Sequence, residues 1–432
     1  MSEREKSQLR ALPPSIWALF AVRLIIAAGN FVFPFLTLIL TSRLGWSSDR
    51  AGTFLTLMQG AALPGLFLGG RLSDLVGRKK IILLCQAVAA LLFFSCLAIG
   101  FTPVVPFLIA GASIALSMTW PVSGALVADL VPAENRKSAY ALLYWGNNIG
   151  FSLGPLAAGF LFHRAPGLMF LGNACALCIS IFILARFVPE PRIAVPTSPA
   201  PPAADTATGA MAQTPAGAPL RGPNHPEAAW QGGLWSVLKA RPSILMFSAL
   251  VAMMNFVYNQ HTFSLPLHLN ATLGLRGAEI FGSAMTVNGL TVVLCTLLLS
   301  RLTSRTPVLL IMTIASLLYG IGFGLLALPP SFLLVLVSTI VWTWGEILSA
   351  TNINVYVAAK TPASHRGRVN SLVSIVTNIG SLSGPVIAGT IIRGGGTGAV
   401  WPVAFFASLA AAALMMGLGL FDRLKGPGST HP

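Results

Sequence analysis

The sequence predicts an all-α membrane protein with twelve transmembrane helices, arranged as two pseudo-symmetric six-helix bundles. Three observations lead to this prediction: the composition, the spacing of the apolar runs and an internal repeat. Of the 432 residues, 55% are hydrophobic and only 9% are charged, and the mean hydropathy is +0.77. A soluble domain carries about 25% charged residues. Because so few charges are available for a water-facing surface, we expect the chain to lie in a bilayer.

Twelve apolar runs, each long enough to cross the hydrocarbon core as a helix, follow one another along the chain. In order they are 15–41, 51–70, 81–100, 104–128, 139–162, 168–188, 243–269, 281–299, 308–328, 332–350, 369–392 and 400–420. We call them span one to span twelve. None shows the alternating ten-residue pattern of a transmembrane β-barrel, so all are predicted to be helices. The first run is too long for a signal-peptide core, and no small-residue cleavage site follows it.

The distribution of Lys and Arg predicts an orientation with both termini in the cytoplasm. Arg23 lies within span one, and the outer loops of this topology hold few bases: Arg43, Arg50, Arg164, Arg276 and Arg393. The other bases fall in inner loops and tails, where they face anionic lipid headgroups. The net charge of +15 therefore does not indicate a nucleic-acid partner. We expect an integral protein of the plasma membrane, the inner membrane of a bacterium.

A change in composition divides the chain into residues 1–188, a linker at 189–242 and residues 243–432. Residues 189–232 contain ten prolines among many Ala, Thr and Gly residues. Such a segment cannot bury a core and is predicted to be a disordered cytoplasmic linker. The sequence LWSVLKARP at 234–242 follows, and we expect a short amphipathic helix there.

The two halves repeat each other at a constant offset of 230 residues. The segment VPAENRKSAYALLYWGNNIGFSLGPLAAG at 131–159 aligns without gaps with TPASHRGRVNSLVSIVTNIGSLSGPVIAG at 361–389. Arg136 matches Arg366, and the later identities are Gly150 with Gly380, Gly154-Pro155 with Gly384-Pro385, and Gly159 with Gly389. Because span five falls on span eleven, six helices later, both halves have the same orientation. Two parallel halves joined by an inner linker are typical of one kind of secondary transporter.

The stretch GGRLSDLVGRKK between spans two and three resembles the signature loop of the major facilitator superfamily, G-x-L-x-D-x-x-G-R-[KR]. The matching residues are Gly70, Leu72, Asp74, Gly77, Arg78 and Lys79. The twelve spans, the inside termini and the central linker agree with this resemblance along the whole chain. It implies two bundles around a central cavity, transport of a small molecule by alternating access, and a monomer surrounded by lipid.

In this family the signature loop docks against span eleven and holds the inner gate shut while the outside is open. An acid at the end of span four takes part, and the matching residue here is Asp129, opposite Arg78. Gly70 and Gly77 allow close backbone approach, and Asp74 can accept from helix N-terminal N–H groups or pair with a base. We group Arg136 and Arg366 with this gate. The alternative is a basic turn that only orients the protein.

The sequence GFSLGPLAAG in span five resembles the antiporter signature G-x-x-x-G-P-x-x-G-G, which the family associates with exporters. Gly150, Gly154, Pro155 and Gly159 match, and Ala158 replaces one glycine. Small residues at this spacing allow close helix crossing, and the proline bends the helix. Simple packing is the alternative, because span eleven repeats the pattern with Gly380, Gly384, Pro385 and Gly389. Many drug/proton antiporters carry an arginine within span four, which this chain lacks, so that proton relay cannot be transferred.

Arg23 in span one and Glu346 in span ten are the only clearly intramembrane charges in the sequence. Each costs several kcal/mol unless it is paired or hydrated. Glu346 is the best candidate for proton coupling because no other acid lies so deep. A static Arg23–Glu346 ion pair is the alternative. His261 in span seven is a further candidate for proton or substrate binding, against a structural hydrogen bond between helices.

The remaining cavity candidates are polar or aromatic: Asn30, Trp120, Tyr258, Gln260 and Trp342. Aromatic rings there can stack on a flat or cationic ligand, or simply pack. We find no Walker motif, catalytic triad, paired carboxylates or metal-ligand spacing, so we expect no enzyme activity, cofactor or metal, and the proton gradient as energy source. The predicted function is proton-coupled export of apolar or cationic compounds. The alternatives are a transporter of an anionic metabolite or lipid, contacted by Arg23, and a non-transporting receptor or scaffold.

Overall fold

The computed structural model describes residues 12–190, 233–362 and 365–424. Within these ranges the secondary structure is helical, without a β-strand. Most of the predicted linker, residues 191–232, lies outside the described residues. The segment after it forms a short helix at Leu234–Ala240, where the sequence predicts one. We refer to residues 12–190 as the N half and to 233–424 as the C half.

Eleven helices of the described ranges are long and apolar enough to cross a membrane. They are Pro14–Arg43, Ser48–Val76, Arg78–Ile99, Val105–Leu130, Gly167–Phe187, Ser243–Leu273, Leu275–Leu302, Val308–Leu325, Phe332–Lys360, Arg366–Gly395 and Thr397–Asp422. Span five, Arg136–Arg164, is equally long at 29 residues. Its basic first turn and its Asn147-Asn148 pair make it more polar than the others. The all-helical membrane fold is confirmed, and span five supplies the twelfth helix by length.

The helices extend past the apolar runs that the sequence marks. Span two continues to Val76, so most of the predicted loop GGRLSDLVGRKK is the last part of this helix. Gly77 alone separates it from span three, with φ of 111°, a backbone conformation that L side chains rarely adopt. The predicted loop is therefore a one-residue turn that requires glycine.

Spans one and seven are both interrupted, although the sequence suggests continuous runs. Span one breaks at residues 29–31, and span seven changes to a 3₁₀ turn at Asn259–His261, about 230 residues later. Backbone groups freed inside a membrane need new partners. The Asn173 side chain supplies them in span one, where its Oδ1 accepts from the backbone N–H groups of Phe31 and Val32, each at 2.9 Å.

The two halves contact each other along two seams at one end of the bundle, which we call the closed end. In one seam, span two meets span eleven, and a β-carbon added at Gly52 would collide with the Pro385 carbonyl. In the other, span eight meets span five, and one added at Gly282 would collide with the Pro155 carbonyl. The two glycines, Gly52 and Gly282, are 230 positions apart, and so are the two prolines, Pro155 and Pro385. The internal repeat therefore builds the same glycine seam twice.

The predicted helix-packing motif has two faces in the structure. Gly150 and Gly154 lie against the backbone of span one within the N half, and Gly380 and Gly384 lie against span seven within the C half. The last glycine of each copy faces the other half instead. Gly159 packs on the backbone at Ala278 and Glu279, and Gly389 packs on the backbone at Ser48 and Asp49.

At the opposite, open end, spans two and eleven lie apart. A β-carbon added at Gly70 or at Gly367 would meet no atom within 4 Å. The Asp74 side chain is 70% exposed. The docking of the signature motif on span eleven, which the resemblance implies, is absent from this conformation. The close approach expected at Gly70 occurs at Gly69, which packs on the Met118 backbone of span four. The helical phase of span two turns Gly69, not Gly70, toward its neighbour.

Candidate functional site

A polar pocket in the N half surrounds Arg23. Its guanidinium donates from Nη2 to Ser123 Oγ at 3.0 Å and lies over the Trp120 ring, 4.7 Å from the centroid. Trp120 is 58% exposed. The pocket is also lined by Asn30, Gln86, Asn147 and Asn173. Ser123 and Trp120 are both uncharged, so they do not neutralise the positive charge of the guanidinium. This pocket can therefore hold an anionic or strongly polar group.

The break in span one contributes directly to this pocket. Asn30 lies at the break, and its Oδ1 is buried without a hydrogen-bond partner. Gln86 is buried behind it and accepts a hydrogen bond from Ser180 at 2.9 Å. An unsatisfied carbonyl oxygen in a polar pocket is available to a ligand or to water. Asn30 is thus brought next to Arg23, as the sequence suggested for cavity residues of span one.

Glu346 is held by neutral donors of two other spans in the C half. Its Oε2 accepts from Asn288 Nδ2 of span eight at 2.8 Å, and the Tyr258 side chain of span seven lies beside it. Asn288 Nδ2 is in addition 2.9 Å from Thr343 Oγ1. Among the described residues, no Lys, Arg or His lies within 4.0 Å of the Glu346 carboxylate. The site is one carboxylate within a cluster of amide and hydroxyl groups.

The proposed static pair of Arg23 and Glu346 is not formed. Arg23 contacts Ser123 and Trp120, whereas Glu346 contacts Asn288 and Tyr258. The partners of Arg23 lie in the N half and those of Glu346 in the C half. The two charges therefore belong to separate walls, one basic and one acidic.

His261, Gln260 and Trp342 lie inside the C half and stabilise the break in span seven. His261 Nδ1 donates to the Tyr258 carbonyl at 2.6 Å, and its ring stacks on Trp342 at 5.3 Å. Gln260 donates to the Phe256 carbonyl and accepts from Ser264. Gln260 and Trp342 are fully buried and His261 is 8% exposed. None of the three presents a free face to the cavity in this conformation. Trp342 agrees with the packing alternative, whereas the His261 hydrogen bond lies within span seven and not between helices, as the alternative for that residue had it.

At the open end, the signature motif forms contacts within the N half. Arg78 pairs with Asp129, as the resemblance implies, and its Nη2 is 3.7 Å from Asp74 Oδ1. The backbone N–H of Lys79 donates to Glu190 Oε1 at 3.1 Å. Arg136 Nε donates to the Val131 carbonyl at 3.4 Å and remains near the start of span five. Arg366 begins span eleven at this same end.

Sequence reasoning missed Asn288 and Ser123. Asn288 carried a usable signal, since it is the one amide in the apolar run of span eight. Ser123 carried none, because small hydroxyls are common in membrane helices. Only the packing of the spans selects them.

Comparison with known proteins agrees with this geometry. The family model of the Major Facilitator Superfamily matches residues 18–305 and 268–431. The Na(+), Li(+), K(+)/H(+) antiporter of Planococcus maritimus is 24% identical over 384 residues, 82% of this chain and 84% of that protein. The uncharacterized MFS-type transporter YhjO of Bacillus subtilis is 24% identical over 397 residues, 91% and 88% of the two chains.

Solved transporter structures share the fold. A POT family transporter in complex with a thioalcohol-conjugated peptide superposes with a TM-score of 0.73 at 14% identity, covering 97% of this chain and 100% of that one. The nucleoside transporter NupG gives a TM-score of 0.69 at 15% identity, covering 94% and 99%. At these identities the likeness concerns the arrangement of helices and not the substrate.

Proposed function

Since this chain belongs to the major facilitator superfamily, we propose that it is a proton-coupled exporter of small apolar or cationic compounds that works by alternating access. We take the open end as the cytoplasmic one, because the bases concentrate there. The structure then corresponds to an inward-open state, ready to receive a compound from the cytoplasm. Transport of small molecules across a membrane is the general activity of the superfamily.

The observation that carries the proposal is the isolated carboxylate of Glu346. Its partners Asn288 and Tyr258 are neutral donors, and no base is paired with it in the described chain. A charge at membrane depth is costly unless it is neutralised. A proton and a cationic compound both neutralise a carboxylate, but they do so in competition. Such competition is the basis of antiport, since each species must leave before the other binds.

The proton would enter from the side with the higher proton concentration, neutralise Glu346 and displace the compound. Exposed aromatic groups such as Tyr144 of span five and Trp120 of span four suit a flat or cationic compound. Interconversion of the two states requires the closed end to separate and the open end to close. The relative from Planococcus maritimus is named as a cation/H(+) antiporter, which favours this class of coupling.

Proton flux in proteoliposomes tests the role of Glu346. The vesicles contain a pH-sensitive dye, and lipophilic cations, alkali cations, organic anions and neutral amphiphiles are added in turn. We expect Glu346→Gln to reduce compound-driven proton movement at least tenfold, since the amide cannot take up a proton. The protein should remain folded, because the amide oxygen can still accept from Asn288.

Glu134→Gln is the matched control, since Glu134 is an exposed acid outside the spans. It should leave the flux unchanged. Full proton movement in Glu346→Gln would remove Glu346 from the coupling mechanism. An absence of flux with every compound, from folded wild-type protein, would favour the receptor or scaffold alternative.

The Arg23 pocket supports a second candidate function, the transport of an anionic metabolite or lipid. Among the described residues its cation has no acidic partner, and Trp120 leaves one side of the pocket accessible. In the same vesicles, Arg23→Gln should then remove the response to organic anions and spare the response to cations. The opposite pattern would contradict this candidate.

A further inference from the structure

Two ion pairs join the halves at the closed end. Arg393 Nη1 of span eleven is 2.8 Å from Asp49 Oδ2 of span two. Arg164 Nη1 of span five is 2.8 Å from Glu279 Oε1 of span eight. In each pair one residue comes from the N half and the other from the C half. Any motion that separates the halves at this end must break both.

The two pairs occupy corresponding positions of the internal repeat. Asp49 and Glu279 are 230 residues apart, and Arg164 and Arg393 are 229 apart. Each acid lies in the first part of its span, and each base ends its span. The sequences around them differ, so the second half has kept an acid and a base at these positions although most neighbouring residues have changed.

The surrounding seam fixes the geometry of both pairs. Thr56 Oγ1 donates to the Leu382 carbonyl at 2.8 Å, and Thr286 Oγ1 donates to the Ser152 carbonyl at 2.6 Å. The two donors, Thr56 and Thr286, are 230 residues apart, and so are the two acceptors, Leu382 and Ser152. Gly389 and Gly159 bring the helices together one turn from each base. The ion pairs therefore lie at the outer limit of two equivalent, closely packed helix contacts.

Not every charged residue at the closed end pairs with the other half. In the described chain, Asp49 and Glu279 are the acids of this end, and both are in these pairs. The acids are 28% and 31% exposed, whereas Arg393 and Arg164 are 70% and 65% exposed. Arg50, by contrast, lies over the Trp46 ring at 4.3 Å, within the N half.

We propose that Asp49–Arg393 and Glu279–Arg164 form a double latch that biases the protein toward the state closed at this end. The four residues are positioning residues for alternating access and do not contact the transported compound. Partly exposed ion pairs are weak, so each latch shifts the balance between the two states by about twofold to fivefold. The ion pairs determine which state is favoured at rest, whereas the glycine seams allow the helices of the two halves to pack closely. This inference is independent of the substrate and of the role of Glu346.

Distances between spin labels at the closed end test the latch. The labels replace Leu168 of the N half and Leu328 of the C half, which are 44% and 52% exposed and belong to neither pair. The native cysteines are changed to alanine in the reporter protein. We expect Asp49→Asn and Glu279→Gln each to raise the population with a long distance by about twofold to fivefold, and the double variant to raise it further.

Two further variants distinguish a latch from a general change in charge. Arg276→Gln removes an exposed base near Glu279 and should leave the distances as in the wild type. Exchanging the partners, Asp49→Arg with Arg393→Asp, should bring the distances back toward the wild-type distribution. Unchanged distances in both acid variants, or an exchange variant that opens as far as Asp49→Asn, would overturn the proposal.

Discussion

The two ends of the helical bundle use the same residue types in opposite ways. At the closed end, acids and bases pair across the halves, as Asp49 does with Arg393. At the open end they pair within one half, as Arg78 does with Asp129, and Lys360 with Asp422 at 2.8 Å. Glycines follow the same division. Gly52 is in tight contact with the other half, whereas Gly70 faces open space.

This difference separates the contacts that stabilise one conformational state from the contacts that stabilise the fold of each half. Pairs within a half can persist while the halves move as units, whereas pairs across the halves exist in one state only. The open-end residues without a partner in the other half are those that can gain one when that end closes. Asp74 is the clearest example, since it is largely exposed and its nearest base is 3.7 Å away.

The largest expected effect comes from overfilling a closed-end seam. In Gly52→Val, the new side chain would collide with the Pro385 carbonyl. Inserting atoms into a close-packed contact typically costs about 1–3 kcal/mol. Because the opposite state separates this contact, we expect the population closed at this end to fall by about fivefold or more. The spin-label distance measures this shift, and transport activity should fall with it.

Gly60→Val is the matched control for this variant. Gly60 lies in the same span, and a β-carbon there would meet no atom within 4 Å. It should leave the label distances unchanged. If both variants opened the closed end equally, the effect would belong to the helix itself and not to the seam.

The sequence predicted the helical membrane fold and the repeat because both depend on composition and identity along one chain. It also marked Gly159 and Gly389 as packing residues. It did not indicate that these two face the other half while Gly150 faces its own, since a stripe of small residues has the same spacing for any partner. The partners of Asp49 and Glu279 were likewise hidden, because they lie in spans more than a hundred residues away.

The candidate site was only partly predictable for the same reason. A lone Glu346 in an apolar run is visible in the sequence, and so is Arg23. Their separation onto two walls is not, because it depends on the rotation of spans one and ten. Trp342 illustrates the limit: as an aromatic residue of span ten it suggested a ligand contact, but its ring packs on Phe323 and His261.

A smaller effect distinguishes two adjacent glycines at the open end. Gly69→Ala should destabilise the protein by about 1–3 kcal/mol, because the added β-carbon collides with the Met118 backbone within the N half. Gly70→Ala meets open space, so its free energy of unfolding in this state should differ little from wild type. Thermal unfolding in detergent measures both. Equal destabilisation would contradict the helix phase that turns Gly69 toward span four.

The smallest effect on stability, and the most informative for function, compares Asp129→Asn with Asp74→Asn. Asp129 is 33% exposed and pairs with Arg78, so its loss should cost about 0.5–1 kcal/mol. Asp74 is 70% exposed, so its loss should cost less than about 0.5 kcal/mol in this state.

Transport should nevertheless fall severalfold in Asp74→Asn, because the family resemblance implies that this side chain gains a contact when the open end closes, and the amide would weaken it. A parallel measurement of the unfolding temperature and of transport separates the two roles. If Asp74→Asn changed neither quantity, the motif would act at this position only as a basic turn that orients the protein. If it lowered stability as much as Asp129→Asn, Asp74 would belong to the fold of the N half, and the difference between the two ends would rest on Gly70 alone.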